Sequence, residues 1–364
     1  MLQHTAAEPA RQPNCCAFVR VALAFVARKI ESYGVRRMTI FEVDAAGGTD
    51  DVVGRCDQGR EIRNSLVAKG GKREQAWHGL QPVRSGDGLC QPGRVIAAKN
   101  SVWMLDLDGV VWRGSTAIDG SVAAIDRLRA ADNRVMFVSN NSSLTVGDYQ
   151  AKLASVGIDA QPHDICTSAM AAAGLVEPGT RAMVLGGAGI NEALLVRGVE
   201  PVDAEIAAAS TVQAVVVGLD RQLTYERLTA AVRAVLAGAT LVVTNEDPTF
   251  PTEDGFNAGG GSIGAAVAYG AGVTSIVAGK PHRPIAALIL ERTNGVMPAV
   301  MVGDQPLTDG QFAKAMGVPF GLVLSGVAST ADGVEPTPAI VAANLASLVD
   351  AVGVGLGRAV TGLS

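Results

Sequence analysis

Residues 102 to 109 read Val-Trp-Met-Leu-Asp-Leu-Asp-Gly, an apolar run that ends in two aspartates one residue apart. A carboxylate is costly to bury without a partner, so this pair needs a cation, a proton or a chemical task. In an extended chain residues i and i+2 project the same way, so Asp106 and Asp108 can reach one reaction centre. Gly109 permits the turn that must follow. Three further apolar runs end in polar groups: "RVMFVSNNSS" at Ser139 and Asn140, "TSIVAGKP" at Lys280, and "AVMVGDQPLTDG" at Asp304. Each alone fits a solvated strand end. Together, two anionic, one cationic and one hydroxyl-bearing, they describe a site. Oxygen ligands from Asp106, Asp108 and Asp304 suit Mg²⁺ held with waters. No Cys/His cluster accompanies them, which disfavours zinc. His4, His78 and His163 lie far from these segments, and His282, near Lys280, fits a loop residue as well as a catalyst.

The elements that must position these groups begin near residue 100. The four runs are short and continuously apolar, as in strands buried on both faces of a parallel sheet. Helical patterns separate them: 119–131, a helix from Thr145 with Thr145 and Asp148 as a capping box and a stop at Gly157, 284–293, and a last helix in "AIVAANLASLVDAV". "PFGLVLSG" reads as a further strand. Strand and helix in alternation predict an α/β, doubly wound parallel sheet, Rossmann-like, which binds ligands at the carboxyl ends of its strands.

Composition sets the bounds. The 364 residues are 48% apolar, enough for one large or two ordinary domains. No apolar run approaches the ~18 residues of a membrane span, and the net charge of -5 argues against a nucleic-acid partner. Charge is uneven: residues 1–99 carry +5 and the remainder -10. Cysteine is uneven too, with Cys15, Cys16, Cys56 and Cys90 early and only Cys166 later, in no zinc spacing, which reads as a reduced, cytoplasmic chain. Residues 1–99 lack a sustained period and read as a poorly ordered extension or a misplaced translation start. Within them, "CCAFVRVALAFVARKIESYG" could form an amphipathic helix; a signal peptide fits less well, because Arg20 interrupts the apolar stretch.

The four segments resemble the motifs of the haloacid-dehalogenase-like (HAD) superfamily of phosphohydrolases, in order: "DLDGVV" at 106–111, "VSNNS" at 138–142, "GKP" at 279–281 and "GDQPLTD" at 303–309. The resemblance covers roughly 100–350. Between the second and third motifs lies a stretch with its own strand–helix pattern, and "TNEDPTFPTEDGFNAGGGSIGAAV" looks like the cap signature of the p-nitrophenyl-phosphatase-like branch. The organisation implied is a HAD core in two parts, 100–177 and 274–364, with an inserted α/β cap domain at 178–273. The resemblance further implies that Asp106 is the nucleophile and Asp108 the general acid and base. Ser139 and the Asn140 backbone hold phosphoryl oxygens, and Lys280 neutralises their charge. Asp106, the Asp108 carbonyl and Asp304 hold Mg²⁺, and Asp309 orients these ligands from behind. The implied substrate is a small phosphate monoester, and a homodimer through the cap is implied by resemblance only. Pro306 within the fourth motif and Gly310 after it depart from the pattern.

In the cap, "NEDPTFP" is the expected substrate lining: Asp247 and Phe250 could touch substrate, although Asp247 also suits a turn before Pro248. "GGGSIG" at 259–264 matches G-x-G-x-x-G, but a polar loop precedes it, so it reads as a glycine-rich hinge or substrate loop, not a dinucleotide site. "LGGAG" at 185–189 reads as a tight turn. Two rivals remain: a phosphate- or nucleotide-binding regulatory protein without turnover, and a dehalogenase. Both lack a use for the second aspartate, Asp108.

Overall fold

The computed structural model describes residues 100–206, 211–252 and 255–354, with the strands at 38–39, 51–56 and 61–65. The chain divides into Met1–Gly88 and Leu89–Ser364. In the first unit β1 (Met38–Thr39), β2 (Asp51–Cys56) and β3 (Glu61–Ser65) form an antiparallel sheet in that order. Val52 and Val53 of β2 stand opposite Asn64 and Arg63 of β3. The helix expected over 15–34 lies outside the described residues.

The second unit opens with β4 (Val102–Leu105), a ribbon of β5 (Trp112–Arg113) and β6 (Thr116–Ala117), α1 (Ser121–Ala130), β7 (Arg134–Ser139), α2 (Val146–Ser155), β8 (Ile165–Thr167) and α3 (Ser168–Ala173). A second set follows: β9 (Arg181–Leu185), α4 (Ala188–Val196), β10 (Glu200–Asp203), β11 (Ala214–Val217), α5 (Tyr225–Leu236), β12 (Thr240–Val243), the hairpin β13 (Thr249–Thr252) and β14 (Gly255–Ala258), α6 (Gly260–Ala271) and β15 (Ile276–Val277). The chain closes through α7 (Arg283–Arg292), β16 (Val300–Gly303), α8 (Gln311–Met316), β17 (Phe320–Val323), β18 (Ile340–Ala342) and α9 (Leu345–Ala351).

Two all-parallel sheets result, ordered β18-β17-β16-β4-β7-β8 and β10-β9-β11-β12-β15, in an α/β fold. The first is covered on both faces. Trp103 and Leu105 of β4 pack with Ile125, Leu128, Leu153 and Leu348, while Val102 and Met104 belong to the cluster that includes Ile285, Ile289 and Phe312. This alternation is why β4 reads as continuously apolar. The α2 cap is as expected: the Thr145 hydroxyl accepts from Asp148 N, and the Asp148 carboxylate accepts from Thr145 N.

Three readings change. The strand that leads to Lys280, β15, pairs with β12 and belongs to the second sheet, not to the sheet that carries the aspartates. The segment read as one last helix begins as strand β18, where β-branched Ile340 and Val341 pair with β17, and becomes helical only after Asn344 caps α9. The glycines of 259–264 are no hinge or loop. Gly259 is the N-cap of α6, and a Cβ on Gly261 would stand 2.3 Å from the Glu246 carbonyl carbon, so they let α6 seat against the chain after β12. In the same way, a Cβ on Gly189 would meet the Leu144 carbonyl oxygen at 2.1 Å; "LGGAG" is where α4 starts against the 142–144 loop.

Candidate active site

Register alone brings three motif ends together. Val302 of β16 is opposite Leu105 of β4, and Leu105 is opposite Phe137 of β7. Asp304, Asp106 and Ser139 therefore emerge side by side at the carboxyl ends of three adjacent strands. Asp106 N donates to Val302 O at 2.9 Å, which fixes the nearest of them in the ladder.

Lys280 arrives from the second sheet. Its Nζ donates at 2.7 Å to Asp106 Oδ1, at 2.7 Å to Asp309 Oδ1 and at 3.1 Å to Val138 O. Its ammonium is thereby fully hydrogen-bonded in a buried position. The backbone is held as firmly: Lys280 N donates to Asn140 Oδ1 at 2.7 Å, and Asn140 Nδ2 donates to Lys280 O at 3.1 Å. The Asn140 carboxamide thus clamps the lysine segment, while the Asn140 backbone carbonyl accepts from Ser168 Oγ and Asn245 Nδ2. Ser139 is buried, its Oγ accepting from Asn141 N at 3.1 Å with Tyr149 Oη 3.3 Å away.

Carboxylate oxygens of Asp106, Asp304 and Asp309 lie within 4.8 Å of one another. Asp309 sits in a π-turn, Pro306–Gly310, whose extra residue turns its carboxylate inward, where Oδ2 accepts from Gln305 N at 3.1 Å. The two departures from the motif have places here. Pro306 begins that turn, and a Cβ on Gly310 would touch Phe320 and Pro336 at 3.0 Å. Asp304 Oδ2 accepts from Val327 N at 2.6 Å, while Asp304 Oδ1 is buried with no hydrogen-bond partner. Glycines cradle these groups: a Cβ would come within 1.9 Å of Asp304 Oδ2 from Gly326, 2.3 Å of it from Gly109, and 2.2 Å of Asp309 Oδ2 from Gly303. Gly109 also has φ +80, so its turn needs glycine twice over.

Three buried carboxylates against one ammonium leave surplus negative charge. Burial pushes Asp106 well above the ordinary carboxylate range; Lys280 pulls it back, and Asp309 and Asp304 push it up again. Burial, then Asp309, raises Asp304 to about 6. For Lys280 burial alone would lower the value, but Asp106 and Asp309 outweigh it and hold the ammonium above its usual range.

Asp108 stands apart from the cluster. Its carboxylate is exposed and accepts at Oδ1 from Trp112 Nε1 at 2.9 Å. The resemblance puts the Asp108 carbonyl among the metal-holding groups and Asp309 behind them; among the described residues, the side-chain cluster is Asp106, Asp304 and Asp309. Asp247, half-buried, joins the site through Asn140 Nδ2 at 3.3 Å, and burial raises its carboxyl. Phe250 is not joined to these groups: it lies on the β13–β14 hairpin, with the Arg221 guanidinium 5.6 Å from its ring centroid. His282 Nε2 lies 2.7 Å from Glu246 Oε2. Tyr149, Ser325 and Val327 carry no motif, and Asn245 falls in the expected cap lining "NEDPTFP" with no role of its own.

Known proteins bear the same pattern. Residues 103–200 match the family model described as haloacid dehalogenase-like hydrolase, and 277–348 match a HAD-hydrolase-like model. An acid sugar phosphatase of Staphylococcus saprophyticus is 36% identical over 215 residues, 57% of this chain and 80% of the relative. The crystal structure of a glycerol phosphate phosphatase from Mycobacterium tuberculosis, in complex with magnesium, superimposes with TM-score 0.62 at 34% identity, covering 70% of this chain and 77% of that one. A p-nitrophenyl phosphatase from Archaeoglobus fulgidus gives TM-score 0.64 at 29% identity, covering 70% of this chain and 100% of that one. With the motifs in order, their residues gathered in one cluster and relatives of this identity along most of their length, the chain belongs to the haloacid dehalogenase-like hydrolases, among that family's phosphatases.

Proposed function

We propose that the chain is a Mg²⁺-dependent phosphomonoester hydrolase for small phosphorylated metabolites, working through an aspartyl-phosphate on Asp106. The observation that carries this reading is the buried Lys280 ammonium, 2.7 Å from both Asp106 and Asp309, with Asp304 in the same cluster. A carboxylate that attacks a phosphate dianion meets like-charge repulsion, and this arrangement puts fixed positive charge beside it.

The residues suit a hard divalent ion. The donors are oxygens only, Asp304 Oδ1 is buried and unpartnered, and the glycine cradle leaves room beside the carboxylates. Asp106, Asp304 and the Asp108 carbonyl would hold the ion, with the Asp309 carboxylate close by. Bound there, Mg²⁺ supplies charge neutralisation for the attacking carboxylate and the phosphoryl group. Asp106 attacks phosphorus, and the ester oxygen departs with a proton from Asp108. The Ser139 hydroxyl and the Asn140 backbone hold phosphoryl oxygens, and Lys280 offsets their charge. Asp108, now a carboxylate, takes a proton from the water that attacks phosphorus, which releases phosphate and restores Asp106.

Residues 178–273 form the cap in this reading, closing over the leaving group. Asp247, an acceptor tied to Asn140, suits hydroxyl groups on that leaving group. The acid sugar and glycerol phosphate phosphatases among the relatives support a sugar or polyol phosphate. The free, buried Cys166 accords with a reducing cytoplasm.

Release of phosphate from p-nitrophenyl phosphate tests the reading. Activity is expected with Mg²⁺, lost in EDTA, restored by added Mg²⁺ and abolished by Asp106→Asn. Tight phosphate binding with no turnover would favour the regulatory binder. Full turnover by Asp106→Asn would remove the covalent route. A panel of sugar, polyol and nucleoside monophosphates ranked by kcat/KM then identifies the substrate class.

A further inference from the structure

Asp108 differs from the other three aspartates in how it is held. Asp106, Asp304 and Asp309 are buried and pinned by Lys280 or by backbone N–H groups. Asp108 is exposed, and a short exposed side chain samples several rotamers unless something tethers it. Its hydrogen-bond donor is Trp112 Nε1, at 2.9 Å. The indole is fully buried, so this donor does not move with solvent. The ribbon that carries it is tied on every side: Gly109 N donates to Trp112 O at 2.8 Å, Arg113 Nε to Ser325 O at 2.6 Å, and Ser325 Oγ to Gly109 O at 2.7 Å. Lys152 Nζ lies over the ring, 4.1 Å from its centroid, and is drawn to the electron-rich face. Lys152 and Tyr149 are three apart on α2, so one helix face holds both the indole and, through Tyr149 Oη, the Ser139 hydroxyl.

An indole N–H only donates. Oδ1 of Asp108 therefore accepts from Trp112 whether the carboxyl is ionised or protonated, and the proton is left to Oδ2. We infer that Trp112 is a positioning residue, which makes Oδ2 of Asp108 the oxygen that delivers the proton to the leaving group. The inference rests on the phosphomonoesterase reading above. In the step it serves, the bond from phosphorus to the ester oxygen breaks as the Asp106 oxygen bonds to phosphorus. The Oδ2 proton passes to the ester oxygen, the alcohol leaves neutral, and the bonding pair stays on Oδ2. Oδ1 keeps its bond to the indole throughout, so the carboxylate is already oriented to take a proton from the incoming water.

Dependence on the leaving group tests this. p-Nitrophenolate departs without a proton, whereas the alkoxide of an alkyl phosphate needs one. Two variants remove the donor: Trp112→Phe, and replacement of Trp112 by 3-benzothienylalanine, which keeps the bicyclic shape and lacks the N–H, so that packing is preserved if phenylalanine leaves a damaging gap. With the alkyl phosphate that the wild-type chain hydrolyses fastest, kcat/KM, which reports the steps up to release of the alcohol and not the later hydrolysis of the aspartyl phosphate, is expected to fall ~10-fold or more, while kcat/KM for p-nitrophenyl phosphate stays within about 2-fold. Equal losses of kcat/KM on the two esters, or an unchanged alkyl phosphate kcat/KM in the benzothienyl variant, would overturn the inference. A wild-type chain that hydrolyses neither ester overturns the phosphatase reading beneath it, and that is seen before any variant is made.

Discussion

Asp304 shows what charge costs at a single position. Its carboxyl is 1% exposed, has one oxygen without a partner, and is raised to about 6, chiefly by burial. A raised carboxyl binds its proton more tightly in the folded than in the unfolded chain. Folding stability in EDTA is therefore expected to fall as pH rises from about 4 to about 6, and Mg²⁺ should restore it most at the alkaline end. Asp304→Asn should flatten that profile and, in EDTA at pH 7, raise stability by up to about 3 kcal/mol while abolishing the Mg²⁺ response. Denaturant melts across pH, with and without Mg²⁺, check both; a metal-free stability that rises over this window contradicts the charge argument. Lys280→Met is the opposite case. It leaves Asp106 and Asp309 buried without their counter-charge, and a loss of about 3–5 kcal/mol together with loss of turnover is expected.

At the scale of elements, the site depends on turns that bring backbone close to carboxylates. The loop after β17 approaches Asp304 so nearly that a Cβ on Gly326 would lie 1.9 Å from Oδ2. Gly326→Ala should leave the sheet intact and displace that carboxylate. The Mg²⁺ concentration for half-maximal activity is expected to rise by roughly 10-fold or more, as ~1.4 kcal/mol of lost affinity requires. A normal Mg²⁺ titration in this variant would show that the close approach is incidental. The capping box of α2 supports the helix that carries Tyr149 and Lys152. Thr145→Ala should cost ~1 kcal/mol in a thermal or denaturant melt, since it removes the acceptor for Asp148 N.

At the scale of the molecule, two parallel sheets share one site. The first contributes Asp106, Ser139 and Asp304 from strand ends, and the second contributes Lys280 and Asp247. Their close approach runs through small residues: a Cβ on Gly189 would press on the Leu144 carbonyl at 2.1 Å, and one on Gly218 on Ser142 Oγ at 2.4 Å. Gly189→Val is expected to destabilise the fold by about 1–3 kcal/mol, as overpacking does, and to lower kcat through Lys280, although residue 189 touches no reacting group. Melting and steady-state kinetics on the same preparation check this; unchanged values in both would mean that the sheets tolerate separation.

What the chain's own order of residues determined is local. Four apolar runs that each stop at a charge or hydroxyl, the Thr145–Asp148 box and the alternation of helix and strand are patterns of neighbours, and neighbours are what a sequence displays. They sufficed for the α/β fold and for the convergence of Asp106, Lys280 and Asp304. Tertiary structure alone decided which partner each element takes. β15 is two residues long and joins the second sheet because β12 offers an open edge, and β18 is a strand because β17 does. It also decided that Asp309 turns into the carboxylate cluster, that Trp112 donates to Asp108, and that the glycines at 259–264 seat a helix. Each of these depends on an atom brought close by the rest of the chain, and no spacing along the sequence encodes a distance across it.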